Sequence, residues 1–129
     1  MLETSLWSFL DSELDCSVYP VHLPQSPDYP VVTYSQVSGP RDYTHDGPSG
    51  LTTARYQISC WSPSYSTAKS TANDVMEACS GYSGDMEGTH IGLITVDNES
   101  DAYENESGVF FIAVDLMIHY RENSEEEKE

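Results

Sequence analysis

The residue types that most often perform catalysis or bind metals are spread along this sequence without a recognisable spacing. The four histidines and three cysteines include no HxxxH, CxxC or mixed cluster, so the spacing that a zinc site needs is missing. Residues 97–101 are similar to the start of a calcium-binding loop. However, Ala102 and Gly108 stand where such a loop needs a glycine and a bidentate glutamate. We therefore expect no metal and no other cofactor.

The cysteines are predicted to be packing residues and not nucleophiles. The local patterns place Cys16 at a helix end, Cys60 on the core face of a strand and Cys79 on the core side of a helix. His45 and Asp46 could orient an imidazole, but no activated nucleophile lies near them in the sequence. Phosphate-binding glycine motifs are absent as well. We predict that the chain is not an enzyme.

The charge balance is the most unusual property of the composition. The 129 residues contain 22 acidic and 5 basic side chains, for a net charge of −17. A surface this acidic repels phosphate, which disfavours direct recognition of nucleic acid. Such a chain also repels itself unless salt screens its charges, so the composition favours a high-salt host. The alternative is an ordinary acidic protein whose charge faces a polyanion or a basic partner.

The length predicts a single domain. We place it at residues 1–121, followed by an acidic, disordered tail at residues 122–129. No apolar run approaches the ~20 residues that a membrane-spanning helix needs, and residues 1–4 do not resemble the start of a signal peptide. We expect a protein made in the cytoplasm without a membrane segment.

Hydrophobic periodicity predicts two helices and four to five strands. The first helix covers residues 4–15, and the second opens at Ser62-Pro63-Ser64 with a hydroxyl N-cap and stops at Gly81. Strands are predicted at residues 31–38, 51–61, 89–97 and 109–120, with at most one short strand near residues 19–23. Residues 39–50 should form a long hairpin loop and residues 97–108 an acidic loop. This order predicts an α+β fold, with a mainly antiparallel sheet and two helices packed on one face.

Residues 109–120 have the strongest strand pattern in the sequence. Strict alternation makes one face of that strand entirely apolar. The other face is partly apolar and includes Asp115 and His119. A central strand covered on both sides would show this pattern, and so would a strand whose second face meets another subunit.

Short motifs occur in a fixed order between residues 19 and 79. They are Tyr19-Pro20, Leu23-Pro24-Gln25, Asp28-Tyr29-Pro30-Val31-Val32-Thr33-Tyr34, Ser38-Gly39-Pro40-Arg41-Asp42-Tyr43, Asp46-Gly47-Pro48-Ser49-Gly50-Leu51 and Ala54-Arg55-Tyr56-Gln57-Ile58-Ser59-Cys60-Trp61, followed by a helix with Tyr65 and Ala68. In this order the motifs resemble the tail-completion (tail-terminator) protein family of siphovirus-like viruses, which have long, non-contractile tails. The chain is more acidic than is typical of that family, which would suit a virus of a halophilic archaeon.

The resemblance implies a ring-forming protomer that assembles as a homo-hexamer in the virion. Such a ring caps the head-proximal end of the tail tube, ends tube polymerisation and joins the tail to the head connector, while genome DNA passes through its lumen. The implied partners are the major tail-tube protein and the connector or stopper protein, with assembly in the host cytoplasm. Carboxylates in the lumen would repel DNA, and residues 97–106 are candidates for that lining. The alternatives are a head-closure (stopper) or other head–tail joining protein, and an acidic binding module.

Subunit and partner contacts are expected along the loop 39–50 and the strand 109–120. Arg41 and Arg55 are suited to bridge to a neighbour's carboxylate. The alternatives are a solvated loop charge for Arg41 and a pairing across its own sheet for Arg55. The complete set of predicted interface residues is Arg41, Asp42, Tyr43, His45, Arg55, Phe111, Met117 and His119.

Overall fold

The computed structural model describes residues 2–21, 25, 27–38 and 52–122. The predicted loop 39–50 and almost all of the predicted tail lie outside these residues. The secondary structure elements, in chain order, are α1 (Leu2–Glu13), β1 (Ser17–Pro20), β2 (Val31–Ser38), β3 (Thr52–Ser62), α2 (Tyr65–Cys79), β4 (Gly84–Met86), β5 (Thr89–Glu104) and β6 (Val109–Glu122). Neither of the two described helices is long and apolar enough to cross a bilayer.

The strands form one six-stranded mixed sheet in the order β1-β2-β3-β6-β5-β4. All neighbouring pairs are antiparallel except β1 and β2, which are parallel. The α+β class and the mainly antiparallel sheet are confirmed, but the predicted number of four to five strands is too low. The missed strand, β4, has only three residues, which is too short for alternation to be recognised.

The core lies between the two helices and one face of the sheet. Both helices bury small or apolar residues at helical spacing, which are Leu2, Leu6 and Leu10 in α1 and Ala68, Ala72 and Val75 in α2. The central strands bury alternate residues against them, which are Ala54, Tyr56, Ile58 and Cys60 in β3 and Ile112, Val114, Leu116 and Ile118 in β6. Alanine lets α2 approach the sheet closely. The predicted packing of two helices on one face is confirmed.

The boundaries of α2 agree with the signals in its sequence. Ser64 is the N-cap, and its hydroxyl accepts a hydrogen bond from the Thr67 N–H at 3.4 Å. The helix ends at Cys79, and Gly81 follows with a φ of +78°, a conformation that glycine adopts without strain. The structure therefore confirms the predicted start and end.

The prediction of an acidic loop at residues 97–108 is wrong. β5 continues to Glu104 and pairs with β6 as far as Val109, and a turn closes where the Gly108 N–H donates to the Glu104 carbonyl at 2.9 Å. Acidic residues have low strand propensity, but pairing with a central neighbour overrides it. Asp97 is the extra residue of a β-bulge between Val96 and Asn98.

Candidate interaction surface

The side of the sheet that faces away from the helices is the main candidate surface. Strand alternation and register assign to it every second residue of β2, β3, β6 and β5. We call this surface the open face and define it as Val31, Thr33, Ser35, Thr53, Arg55, Gln57, Ser59, Trp61, Leu93, Thr95, Asp97, Asn98, Ser100, Ala102, Phe111, Ala113, Asp115, Met117 and His119. No described helix covers it.

The structure brings four of the predicted interface residues onto this face. Arg55 of β3 lies directly opposite Met117 of β6, and His119 follows two positions along β6. Phe111 lies at the other end of the same strand face, roughly 27 Å from His119 at the usual rise per residue. Half of the predicted set therefore shares one continuous surface. The other half (Arg41, Asp42, Tyr43 and His45) lies outside the described residues.

One end of the open face is aromatic. The rings of Trp61 and Phe111 are stacked, with centroids 4.4 Å apart and planes inclined by 26°. The Trp61 indole N–H donates a hydrogen bond to the Thr33 hydroxyl at 3.0 Å, and Val31 opposite Trp61 is fully buried. Trp61 and Thr33 are not among the predicted interface residues. The sequence does indicate the position of Trp61, because strand alternation places Trp61 on the same face of β3 as Arg55.

The other end of the open face is polar, and its groups are paired within the chain. The Arg55 guanidinium forms an ion pair with Asp97. The Thr53 hydroxyl lies 2.9 Å from His119 Nδ1. The Arg55 pairing is the alternative that the sequence left open, but it uses one guanidinium nitrogen of a side chain that remains 34% exposed. Arg55 can therefore still donate hydrogen bonds to a second carboxylate.

Charge is sparse on the open face in an otherwise acidic chain. The face as defined contains one cation, Arg55, and two carboxylates, Asp97 and Asp115. Gln57 donates a hydrogen bond to Asp115 at 3.3 Å. Cores of protein interfaces are depleted in charge and enriched in aromatic residues, methionine and arginine. The open face shares the depletion in charge, and it includes Trp61, Phe111, Met117 and Arg55 among many small and hydroxyl side chains.

On the opposite side of the sheet, a cluster of polar residues ties α2 to β5. The ammonium group of Lys69 lies 2.9 Å from Glu99 Oε2 and 3.1 Å from Asp101 Oδ1. The Tyr65 hydroxyl donates to Asp101 Oδ2 at 2.6 Å. Hydrogen bonds from Tyr65 and Lys69 hold the pKa of Asp101 below its usual range, and hydrogen bonds to Glu99 and Asp101 raise the pKa of Lys69. We call Tyr65, Lys69, Glu99 and Asp101 the clasp.

The cysteines occupy the packing positions predicted for them. Cys60 and Cys79 are fully buried, and Cys16 is half-buried. Burial raises the pKa of the Cys79 thiol to about 12, and it also raises the pKa of the Cys60 thiol. These two thiols are protonated at neutral pH and are poor nucleophiles. Over the described part of the chain, no group of three histidine, cysteine or acidic side chains converges to hold a metal ion.

Comparison with solved structures supports the fold. There are 21 matching chains, and one of them belongs to the virion of a native gene transfer agent (GTA) particle. The match has 14% sequence identity and a TM-score of 0.60, and it covers 90% of this chain and 84% of that chain. At this identity the likeness concerns the fold alone. No curated protein sequence matches the chain.

Comparison with protein families shows to which family the chain belongs. A family model described as "Tail completion protein gp17" matches residues 10–121. This family supports a structural role in the tail, or at the joint between tail and head, of a phage-like particle. Because the match spans most of the sequence and includes the end of α1, all of α2 and the open face, the chain belongs to the tail completion protein gp17 family.

Proposed function

We propose that this protein forms a homo-hexameric ring at the head-proximal end of the tail tube. The ring ends tube polymerisation and joins the tail to the head connector, and genome DNA passes through its lumen. The observation that carries the proposal is the family match over residues 10–121. The resemblance of the motifs to siphovirus-like proteins extends it to a virus with a long, non-contractile tail.

The protein acts through its shape and its association with other proteins, and it neither makes nor breaks a covalent bond. A tail tube is a stack of rings, and each ring exposes the surface on which the next ring adds. A different ring with one matching face and one non-matching face ends that series. The matching face binds the major tail-tube protein, and the other face binds the connector or stopper protein. We therefore propose a structural and not an enzymatic role.

Contacts between neighbouring subunits use the open face. Two copies of a chain with a net charge of −17 repel each other unless their carboxylates are kept apart. The open face carries a single cation and two carboxylates, a net charge of −1, so this repulsion is weak there. The stacked Trp61 and Phe111 supply the rigid aromatic anchors that dominate binding energy at interfaces, and Met117 and Arg55 extend the contact.

The acidic composition supports a virus of a halophilic archaeon, assembled in the host cytoplasm. Concentrated salt screens like charges over a few ångströms. The ring would then be most stable at the salt concentration of such a host. Residues Arg41, Asp42, Tyr43 and His45 stay in the proposal as partner contacts on the basis of the sequence.

The experiment that tests the ring is a mass measurement in about 1 M salt, where charge repulsion is screened within about 3 Å. The protein is measured alone and after incubation with purified tail tubes, since a monomer could assemble only on docking. A hexamer at one end of each tube supports the proposal. Another stoichiometry, or no binding to tube ends, contradicts it, and binding to the connector alone indicates a head-closure protein.

A pair of variants tests the assignment of the open face. Phe111→Asp adds a negative charge at the aromatic end of this face, whereas Ser66→Asp adds the same charge on the exposed side of α2. We expect Phe111→Asp to prevent hexamer formation and Ser66→Asp to leave it unchanged. The opposite ranking would place the subunit contact on the helix side of the sheet.

A further inference from the structure

We infer that the outer edge of β5, together with the groove between β5 and α2, binds an extended, basic segment of another virion protein by strand addition. This inference rests on the proposed assembly into a virion and identifies a second contact surface, separate from the open face. Extended peptides bind exposed sheet edges through main-chain hydrogen bonds, and neighbouring side chains provide the specificity.

The outer edge of β5 is open over most of its length. β4 pairs only with Thr89–Ile91. Ile94 is the last residue covered on this side, because its C=O accepts from the Gly81 N–H at 2.8 Å and its N–H donates to the Tyr82 carbonyl at 3.0 Å. Beyond Ile94, no strand in the described residues pairs with this edge.

The register shows which backbone groups point outward. Ile94 directs both its N–H and its C=O away from β6, and these directions alternate along a strand. The bulge at Asp97 adds one residue. Past the bulge, the outward groups therefore belong to Glu99, Asp101 and Tyr103, which together offer a ladder of donors and acceptors to an incoming strand.

A groove between α2 and β5 lies beside this edge, where the side chains of an added strand could be held. It has a volume of about 520 Å³ and is lined by Tyr65, Lys69 and Met76 of α2 and by Glu99 of β5, among others. An added strand would lie 4.7–4.9 Å from β5, next to α2. The clasp holds α2 against β5 through the Tyr65–Asp101 and Lys69–Glu99 hydrogen bonds. The groove is therefore formed before binding, which lowers the entropy cost of association.

The charge of the edge identifies the chemistry of the partner. Residues 98–106 carry four carboxylates, and within the described part of the chain the cation paired with them is Lys69. The opposite edge of the sheet, β1, lies beside a cavity lined by Asp11, Asp15 and Asp28. Pairing of β5 with β1 of a second copy would bring the carboxylates of β5 close to those beside β1, and like charges on paired strands are destabilising. A basic segment of a different protein fits this edge, and the acidic stretch then contacts protein and not DNA in the lumen.

The test uses the full chain and a short peptide of alternating lysine and threonine. A control peptide of the same sequence with every backbone nitrogen methylated has the same charge but no backbone N–H to donate. We expect the unmethylated peptide to bind about tenfold more tightly at moderate salt. We also expect it to slow hydrogen exchange at the outward amides of Glu99, Asp101 and Tyr103.

Two substitutions at one position separate strand addition from simple charge attraction. Glu99→Pro removes an outward N–H, which an edge strand tolerates, whereas Glu99→Thr removes the same carboxylate and keeps the N–H. We expect a loss of about tenfold in affinity for the proline variant and little change for the threonine variant. If Glu99→Pro does not fold, the exchange measurement on the unaltered chain decides the question.

Equal binding of the two peptides, or protection of amides near Asp11 and Asp15 instead, would overturn the inference. Either result would mean that the charges on β5 only protect an edge strand from aggregation. Failure of the ring proposal is recognised separately, because hexamers are measured by mass and this test needs no ring. A chain that forms hexamers but shows no protection at Glu99, Asp101 and Tyr103 refutes the strand-addition site alone.

Discussion

Arg55 of β3 forms an ion pair with Asp97 of β5, although the strand β6 lies between them. Met117 of β6 is the direct partner of Arg55 in the sheet register, so the guanidinium reaches over it. Asp97 is the extra residue of the bulge between Val96 and Asn98, and bulges commonly redirect a side chain in this way. The pair connects three strands on the face that we assign to subunit contacts.

Replacing Arg55 should reduce hexamer formation while changing the stability of the folded chain only slightly. Both partners are about a third or more exposed, and exposed ion pairs contribute about 0–1 kcal/mol. We expect Arg55→Gln to lower the free energy of unfolding by less than about 1 kcal/mol, as measured by urea denaturation. If Arg55 also donates to a neighbouring subunit, the same variant should strongly reduce hexamer formation.

The matched control for that prediction is Asp97→Asn. It breaks the same ion pair but leaves the arginine available to a neighbour. Assembly should therefore survive in Asp97→Asn and fail in Arg55→Gln. Equal assembly by both variants would show that Arg55 acts only within its own chain.

The clasp should stabilise the fold fully between the ordinary pKa of its aspartate, 3.8, and that of its tyrosine, 10.0. The pKa of Asp101 is lowered in the folded state, so its contribution is present above the ordinary value of 3.8 and is lost as pH falls through the lowered pKa. The pKa values of Lys69 and Tyr65 are raised, so their contributions are present below their ordinary values of 10.5 and 10.0 and are lost as pH rises through the raised ones.

Tyr65→Phe tests this contribution, since it removes the hydroxyl but keeps a ring that can contact Phe110. We expect a lower melting temperature than that of the unaltered chain near neutral pH, and a difference that shrinks in acid as Asp101 becomes protonated. Ser70→Ala, also on the exposed side of α2, is the control. A Tyr65→Phe difference that is the same at all pH values would show that Asp101 is not its partner in solution.

The two faces of β6 should respond differently to truncation. Ile112 is fully buried against the helices, and Ile→Ala changes in a core cost about 2–5 kcal/mol. We expect Ile112→Ala to lower the free energy of unfolding by that amount. Met117→Ala, on the open face, should cost clearly less in the monomer. Equal losses in urea denaturation would mean that the open face is covered in the isolated chain.

Stability should increase with salt. At a net charge of −17 the folded chain repels itself, and salt screens that repulsion. We expect a higher free energy of unfolding in about 1 M salt than in about 50 mM salt, measured with urea because it is uncharged. A double variant, Glu104→Gln with Glu106→Gln, should depend less on salt. Full stability in dilute buffer would contradict the halophilic origin.

The cysteines should differ in reactivity. Cys16 is half-buried, whereas Cys60 and Cys79 are fully buried, with thiol pKa values raised mainly by desolvation. We expect iodoacetamide to modify Cys16 first in the native protein and all three cysteines in urea. Mass spectrometry of the modified peptides checks this order. Early modification of Cys60 would show that β3 is not packed under the helices.

Much of the fold could be predicted from local sequence patterns. The alternation in β3 and β6 and the helical spacing in α2 identified the buried face of each element correctly. These patterns are readable because burial of one face imposes a period of two on strands and of about 3.6 on helices. The interface residues Phe111, Met117 and His119 were selected on the same basis and Arg55 for its charge, and the structure places all four on one face.

Local sequence therefore determined the α+β class, both helices, the central strands and the sparse charge of one strand face. Only the tertiary structure decided the parallel pairing of β1 with β2, the extension of β5 through acidic residues to Glu104, and the meeting of Arg55 with Asp97. Each of these depends on partners that are distant in sequence. A residue's own propensity carries no information about the neighbour that will satisfy its backbone or its charge.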